Sequence, residues 1–163
     1  MSIATMQVCH TTIESPIGRL LLMANDEGLV GAYMQNHKGG PRPLGRHTAD
    51  HDVLEQAGQQ LREYFAGRRR EFDVALSLGG TEFQRRVWKA LGEIPFGETR
   101  SYAEIARRAG RPIAARAVGA AVGRNPVSII VPCHRVVGSD GSLTGFAGGL
   151  SRKRWLLAHE REV

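Results

Sequence analysis

The stretch SYAEIARRAGRPIAARAVGAAVG, Ser101 to Gly123, decides the fold class of the half of the chain that contains it. Ser101 with Glu104 three residues later is a capping box, in which each side chain satisfies an amide left open by the first helical turn. Tyr102, Ile105, Ala106 and Ala109 then share one face, and Gly110 ends the helix. Only Arg111 and Pro112 separate it from a second helix, predicted over Ile113 to Val122 because proline suits the first helical turn. Two short helices joined by so tight a turn read as a helix-turn-helix. In the second helix Ala115, Val118 and Val122 form the apolar stripe, and Arg116, Gly119, Ala120 and Gly123 fall on the opposite face. A glycine inside a helix costs about 1 kcal/mol relative to alanine, so Gly119 calls for a reason, and close approach of another backbone is the usual one. Reading base edges takes Arg, Asn or Gln, and here only Arg116 qualifies. The pattern points to a helix lying close in the minor groove of a duplex, touching shape and backbone and inserting one arginine. The alternative is that the small face packs against the rest of its own domain.

Downstream come Arg124-Asn125-Pro126, a β-leaning run from Val127 to Val131, and then Pro132-Cys133-His134-Arg135-Val136-Val137. Alone, one cysteine in an apolar stretch reads as a small core residue. Its flanks favour chemistry. Pro132 removes a backbone donor and sets Cys133 at a bend, outside any ladder. His134 supplies a base, and Arg135 a positive charge expected to favour the thiolate. Gly138-Ser139-Asp140-Gly141 makes a turn, and Gly145-Phe146-Ala147-Gly148-Gly149 can wall a pocket with backbone groups. Ser151 is expected to cap a last helix running through Trp155, Leu156 and Leu157 to His159 and Glu160, from which Glu160 can orient a histidine. Upstream, Thr81 and Gln84 form another capping box, and Phe83, Val87, Ala90 and Leu91 make a stripe that Gly92 closes.

Leu78-Gly79-Gly80 marks the boundary between a domain over 1–77 and a second over 78–163. The first reads as an antiparallel meander: a strand at Val8 to Ile13, a turn at Ser15-Pro16-Ile17-Gly18, and strands at Leu20 to Ala24 and Leu29 to Met34. Gln35 to His51, rich in Gly, Pro, His and Arg, is expected to be a long surface loop. Leu54, Ala57, Leu61, Tyr64 and Phe65 recur at helical spacing and stop at Gly67, giving a helix that packs on the small sheet. The fold class is therefore α+β, with a small sheet and helix followed by a mainly helical domain.

With 42% hydrophobic and 23% charged residues in 163, the composition is that of a globular protein able to fold without staples. No apolar run approaches the roughly 20 residues a bilayer requires, and Met1 to Thr5 lack the start of a signal peptide. A cytoplasmic protein with no membrane partner is expected. The formal charge of +6 suits an anionic partner, although it serves solubility equally well. Cys9 and Cys133 are too few for a disulfide framework.

The string from Pro132 to Glu160, with Arg116-Ala117-Val118-Gly119 and Asn125-Pro126, closely resembles the O6-alkylguanine-DNA alkyltransferases, also called methylated-DNA-protein-cysteine methyltransferases. The match is strong over Thr81 to Glu160, and the first half fits in length and layout, where the family has a ribonuclease H-like α/β domain. The resemblance implies DNA repair by a single-turnover S-methyltransferase, which moves a methyl or alkyl group irreversibly from O6-alkylguanine to Cys133, with O4-alkylthymine as a secondary candidate substrate. It implies that His134 activates the thiol through a water, that Glu160 orients His134, and that Asn125 holds the active-site turn. Tyr102 would bond the flipped guanine and crowd the phosphate, and Arg116 would fill the gap in the stack. Val136 and Ala147, with Phe146 where many members have tyrosine, would line the guanine pocket. Ala103, Arg111, Ser139 and Gly119 would lie along the DNA. No cofactor is implied, and the partner is double-stranded DNA containing alkylated bases, bound by a monomer that can cluster on it. Some members hold zinc in the first domain, but Cys9 with His10, His37, His47 and His51 makes a poor match, and no metal is expected. The competing class is a DNA-damage-binding or regulatory helix-turn-helix protein without chemistry.

Overall fold

The computed structural model describes residues 7–163, so the reading of Met1 to Thr5 lies outside the described residues. The chain divides into two compact units, Met1–Gly79 and Gly80–Val163. Among the described residues no helix is long and apolar enough to cross a membrane.

In the first unit β1 (Cys9–Ile13), β2 (Leu20–Ala24) and β3 (Leu29–Met34) pair antiparallel, with Thr11 opposite Leu22 and Leu22 opposite Ala32. Leu20, Leu22, Met23, Ala24 and Leu29 are buried, as are Leu54, Ala57, Leu61 and Tyr64 of α1 (Asp52–Phe65), which packs against this sheet. Cys9 is a buried strand residue whose thiol donates to the Ala24 carbonyl at 3.7 Å.

Two expectations for this unit change. The 35–51 segment is not all loop: β4 (Arg46–His47) pairs parallel with β1, so the sheet runs β3-β2-β1-β4 and is mixed. His10 Nδ1 donates to the Leu44 carbonyl at 2.9 Å, and the Thr48 amide donates to the His10 carbonyl at 2.9 Å. Two residues carry no alternation, and the pairing is set by these long-range bonds. His51, assigned to that loop, is the N-cap of α1, its Nδ1 accepting from the Val53 amide at 3.2 Å.

In the second unit α2 (Glu82–Gly92) and α3 (Tyr102–Arg108) both begin at the capping boxes read from Thr81/Gln84 and Ser101/Glu104. α4 (Ala115–Gly123) begins two residues later than expected. The Ala114 amide bonds the Arg111 carbonyl at 3.0 Å, so Pro112 and Ile113 belong to the turn, and Ile113 is 98% exposed. α4 buries Val118, Ala121 and Val122, and Ala115 is exposed. Trp88 of α2 fixes the packing, its indole N–H donating to the Ala121 carbonyl at 2.9 Å. Phe83, by contrast, is only half-buried and carries the Arg111 guanidinium 5.1 Å above its ring.

The Val127 to Val131 run is no strand. The Val131 amide bonds the Val127 carbonyl at 3.0 Å, closing a tight turn with Ile129 at φ 74°. A β-branched residue in the left-handed region costs on the order of 1–3 kcal/mol and persists only where its surroundings dictate it. A 3₁₀ turn at Cys133–Arg135 follows, then β6 (Val136–Val137), which pairs parallel with β5 (Arg100–Ser101). This pair ties the start of the helix-turn-helix to the end of the cysteine turn. α5 (Leu150–Glu162) closes the chain, with Gly149 at φ 97° as its N-cap. Ser151 therefore lies inside the first turn and caps nothing, because glycine enters this backbone conformation without strain.

Candidate active site

Three local decisions build the site. The first is the turn held by Asn125, whose buried side chain donates from Nδ2 to the Val131 carbonyl at 2.8 Å and accepts the Val127 amide on Oδ1 at 3.0 Å. One amide group thus satisfies both ends of the turn containing Ile129 and delivers the chain to Pro132. The second is the break at Pro132, after which Cys133 opens a 3₁₀ turn as a buried residue, 5% exposed. The third is α5, which packs against that turn and presents Lys153 and Glu160, seven residues apart and so on one face.

Glu160 is almost fully buried and fully engaged. Oε2 lies 2.7 Å from His134 Nε2 and 3.0 Å from Arg135 Nη2, and Oε1 lies 2.8 Å from Arg135 Nε and accepts the Gly97 amide at 3.3 Å. Burial pushes its carboxyl up, but hydrogen bonds from His134 and Arg135 and the Arg135 charge outweigh that and hold it well below the usual carboxylate range. Arg135 also donates to the Ile94 carbonyl at 2.8 Å. Its charge is thus spent on Glu160, not on the thiol as expected from the sequence.

Burial pushes the pKa of His134 down, and the hydrogen bond and charge of Glu160 only partly oppose this, so the ring is neutral. An ionised carboxylate can only accept, which puts the hydrogen on Nε2 and leaves a lone pair on Nδ1. Nδ1 is buried and has no hydrogen-bond partner among the described residues. An orphaned buried acceptor costs about 1–3 kcal/mol and marks a site of chemistry or of an ordered water.

Cys133 carries the opposite perturbation. Burial pushes its thiol up, opposed by hydrogen bonds from Asn125 and Ser128, by the Cys133 amide and by the Lys153 charge. Sequence reasoning passed over Ser128 and Lys153. Ser128 sits in a run read as strand, and a lysine in an amphipathic helix reads as solvated, whereas Lys153 is 1% exposed.

The remaining candidates are distributed as follows. Tyr102 opens α3 and its hydroxyl accepts from Thr144 Oγ1 at 3.0 Å. Val136 is buried as the first residue of β6, and Phe146 and Ala147 are half-buried in the segment leading to α5. Arg116 and Ala103 are exposed on α4 and α3, Arg111 is exposed over Phe83, and Ser139 is exposed in its turn. A Cβ placed on Gly119 or Gly123 meets nothing within 4 Å, so the small face of α4 is not covered by its own domain. No group of three or more His, Cys, Asp or Glu among the described residues is arranged to hold a metal ion.

Comparison with known proteins matches residues 8–78 to the ribonuclease-like domain, and residues 82–162 to the DNA binding domain, of 6-O-methylguanine DNA methyltransferase. The methylated-DNA–protein-cysteine methyltransferase of Mycolicibacterium paratuberculosis is 53% identical over 152 residues, covering 93% of this chain and 92% of the relative. That of Methanosarcina acetivorans is 48% identical over 151 residues, covering 93% and 97%. The crystal structure of Mycobacterium tuberculosis OGT in complex with DNA superimposes with a TM-score of 0.86 at 52% identity, covering 94% of this chain and 92% of that one.

Proposed function

The chain belongs to the 6-O-methylguanine DNA methyltransferase family and repairs DNA by direct reversal, and we propose that the alkyl acceptor is Cys133. The observation that carries the assignment is His134: neutral, anchored by Glu160 through Nε2, and left with a buried basic Nδ1 one residue from the thiol. The Cys133 proton passes through a water to Nδ1. The sulfur attacks the saturated carbon on guanine O6, the S–C bond forms as the C–O6 bond breaks, and the bond pair stays with the base oxygen. His134 then returns its proton to the restored base. The product is a thioether with no good leaving group, so each molecule acts once and needs no cofactor.

The substrate lies inside a stacked duplex, and extruding it costs a few kcal/mol. The uncovered small face of α4 suits close approach to a minor groove, with Arg116 as the wedge that takes the base's place in the stack. Phe146, Val136 and Ala147 line the guanine pocket, and Tyr102 meets the extruded base. Ala103, Arg111 and Ser139 lie along the backbone. The working form is a cytoplasmic monomer that binds alkylated double-stranded DNA.

The test is to incubate the protein with a duplex oligonucleotide carrying O6-methylguanine and weigh the intact chain and its peptides. One methyl increment per molecule on the Cys133 peptide is expected. Binding without a mass change, or an increment on Cys9, overturns the assignment. For Arg116→Ala, repair of duplex DNA is expected to slow by about tenfold or more, with much less effect on a free O6-alkylguanine base. Equal losses on the two substrates would remove the wedge role.

A further inference from the structure

Thr144 belongs neither to the helix-turn-helix nor to the cysteine turn. It lies between β6 and α5, two residues before Phe146, and is held through both its backbone and its side chain. Its carbonyl accepts from the Lys153 ammonium at 3.3 Å, and its hydroxyl donates to the Tyr102 hydroxyl at 3.0 Å, across forty-two positions of sequence. Tyr102 is anchored from the other side. It opens α3 directly after Ser101, which caps that helix and is paired with Val137 in the β5–β6 ladder. Thr144 thus links the segment carrying Phe146 to the start of the helix-turn-helix.

The direction of this bond matters, because each of the two hydroxyls carries a single hydrogen. With Thr144 as the donor, the Tyr102 oxygen is occupied as an acceptor and its own hydrogen is left to donate elsewhere. We propose that Thr144 is a positioning residue of the transfer, its hydroxyl fixing the Tyr102 hydroxyl as a donor to the extruded base. The proposal rests on the reading of Tyr102 as the residue that meets that base. As the C–O6 bond breaks, the electron pair stays with the base, and a donor aimed there beforehand needs no reorganisation during the step. No proton leaves Thr144. Thr144 is exposed and Tyr102 half-buried, so in the free protein water competes for this bond and it adds little to stability. It strengthens once the base covers it and lowers the local dielectric.

The test is a double-mutant cycle on the single-turnover rate, followed by intact mass, with a melting curve for every variant. Thr144→Val and Thr144→Ala both lack the hydroxyl, and each is expected to slow transfer about fivefold, the worth of one ordinary hydrogen bond, with the melting temperature unmoved. Thr144→Ser, which keeps the hydroxyl, is expected to recover most of that rate. Tyr102→Phe is expected to be slow by itself, and adding Thr144→Val to it to cost no further rate. The loss in Thr144→Val should also persist on a free O6-methylguanine base, unlike that in Arg116→Ala. Losses that multiply in the double variant overturn the proposal while leaving Tyr102 its role. A loss confined to duplex substrate makes Thr144 a DNA contact and overturns it, and so does a loss in Thr144→Ala that Thr144→Val does not share, which would come from shape. A wild-type rate in Tyr102→Phe removes the reading of Tyr102 and the proposal with it.

Discussion

Glu160→Gln is expected to lose about 3–5 kcal/mol of stability and to slow methyl transfer about a hundredfold or more. The amide is the same size, so no cavity opens. What changes is charge: Arg135, bound in two places by the carboxylate and almost entirely buried, is left without a counter-ion. His134 loses the acceptor that keeps its hydrogen on Nε2, and with it the reason for Nδ1 to be the basic nitrogen. Denaturant unfolding across pH gives a second signature. The Glu160 carboxyl is held below its ordinary value, so its contribution is complete above the unfolded pKa of about 4.3 and is lost as pH falls toward the folded value. His134 is also held down, so its contribution is complete above about 6.5 and is lost as pH falls below that. Wild-type stability should therefore begin to fall below about pH 6.5 and fall further below about pH 4.3, where the gap to Glu160→Gln narrows. A variant with unchanged stability near neutrality would show that the carboxylate is dispensable to Arg135.

Asn125→Ala is expected to cost about 2–4 kcal/mol and to reduce transfer more than its stability loss alone explains. The Val131 carbonyl and the Val127 amide both lose their partner, and Ile129 at φ 74° loses the restraint that keeps it there. The same side chain helps oppose the upward push of burial on the Cys133 thiol, so its removal makes the thiolate harder to form. Chemical denaturation and single-turnover rates at matched fractions folded separate the two effects. Full activity in the folded fraction would confine Asn125 to the fold.

Local interactions made much of the molecule legible. The capping boxes at Thr81/Gln84 and Ser101/Glu104 and the strands at 20–24 and 29–34 depend on neighbours a few residues away, and they stand where the pattern put them. The 46–47 strand and the β5–β6 pair were not legible, since two residues carry no period and are set by partners more than thirty residues away. The start of α4 moved because a hydrogen-bonded turn claimed Pro112 and Ile113.

At the site the same division holds. The sequence by itself determined the family, the helix-turn-helix, the cysteine at a proline-broken bend, and the histidine and glutamate able to relay a proton, because these lie in short motifs whose residue types carry the chemistry. Only the tertiary structure decided where the charges went. Arg135, adjacent to the histidine, belongs to Glu160 twenty-five residues on. Lys153, which a helical pattern reads as solvated, is buried and donates to the Thr144 carbonyl. A charge acts through distance and burial, and both are fixed only when α5 folds back against the 3₁₀ turn and excludes water from it.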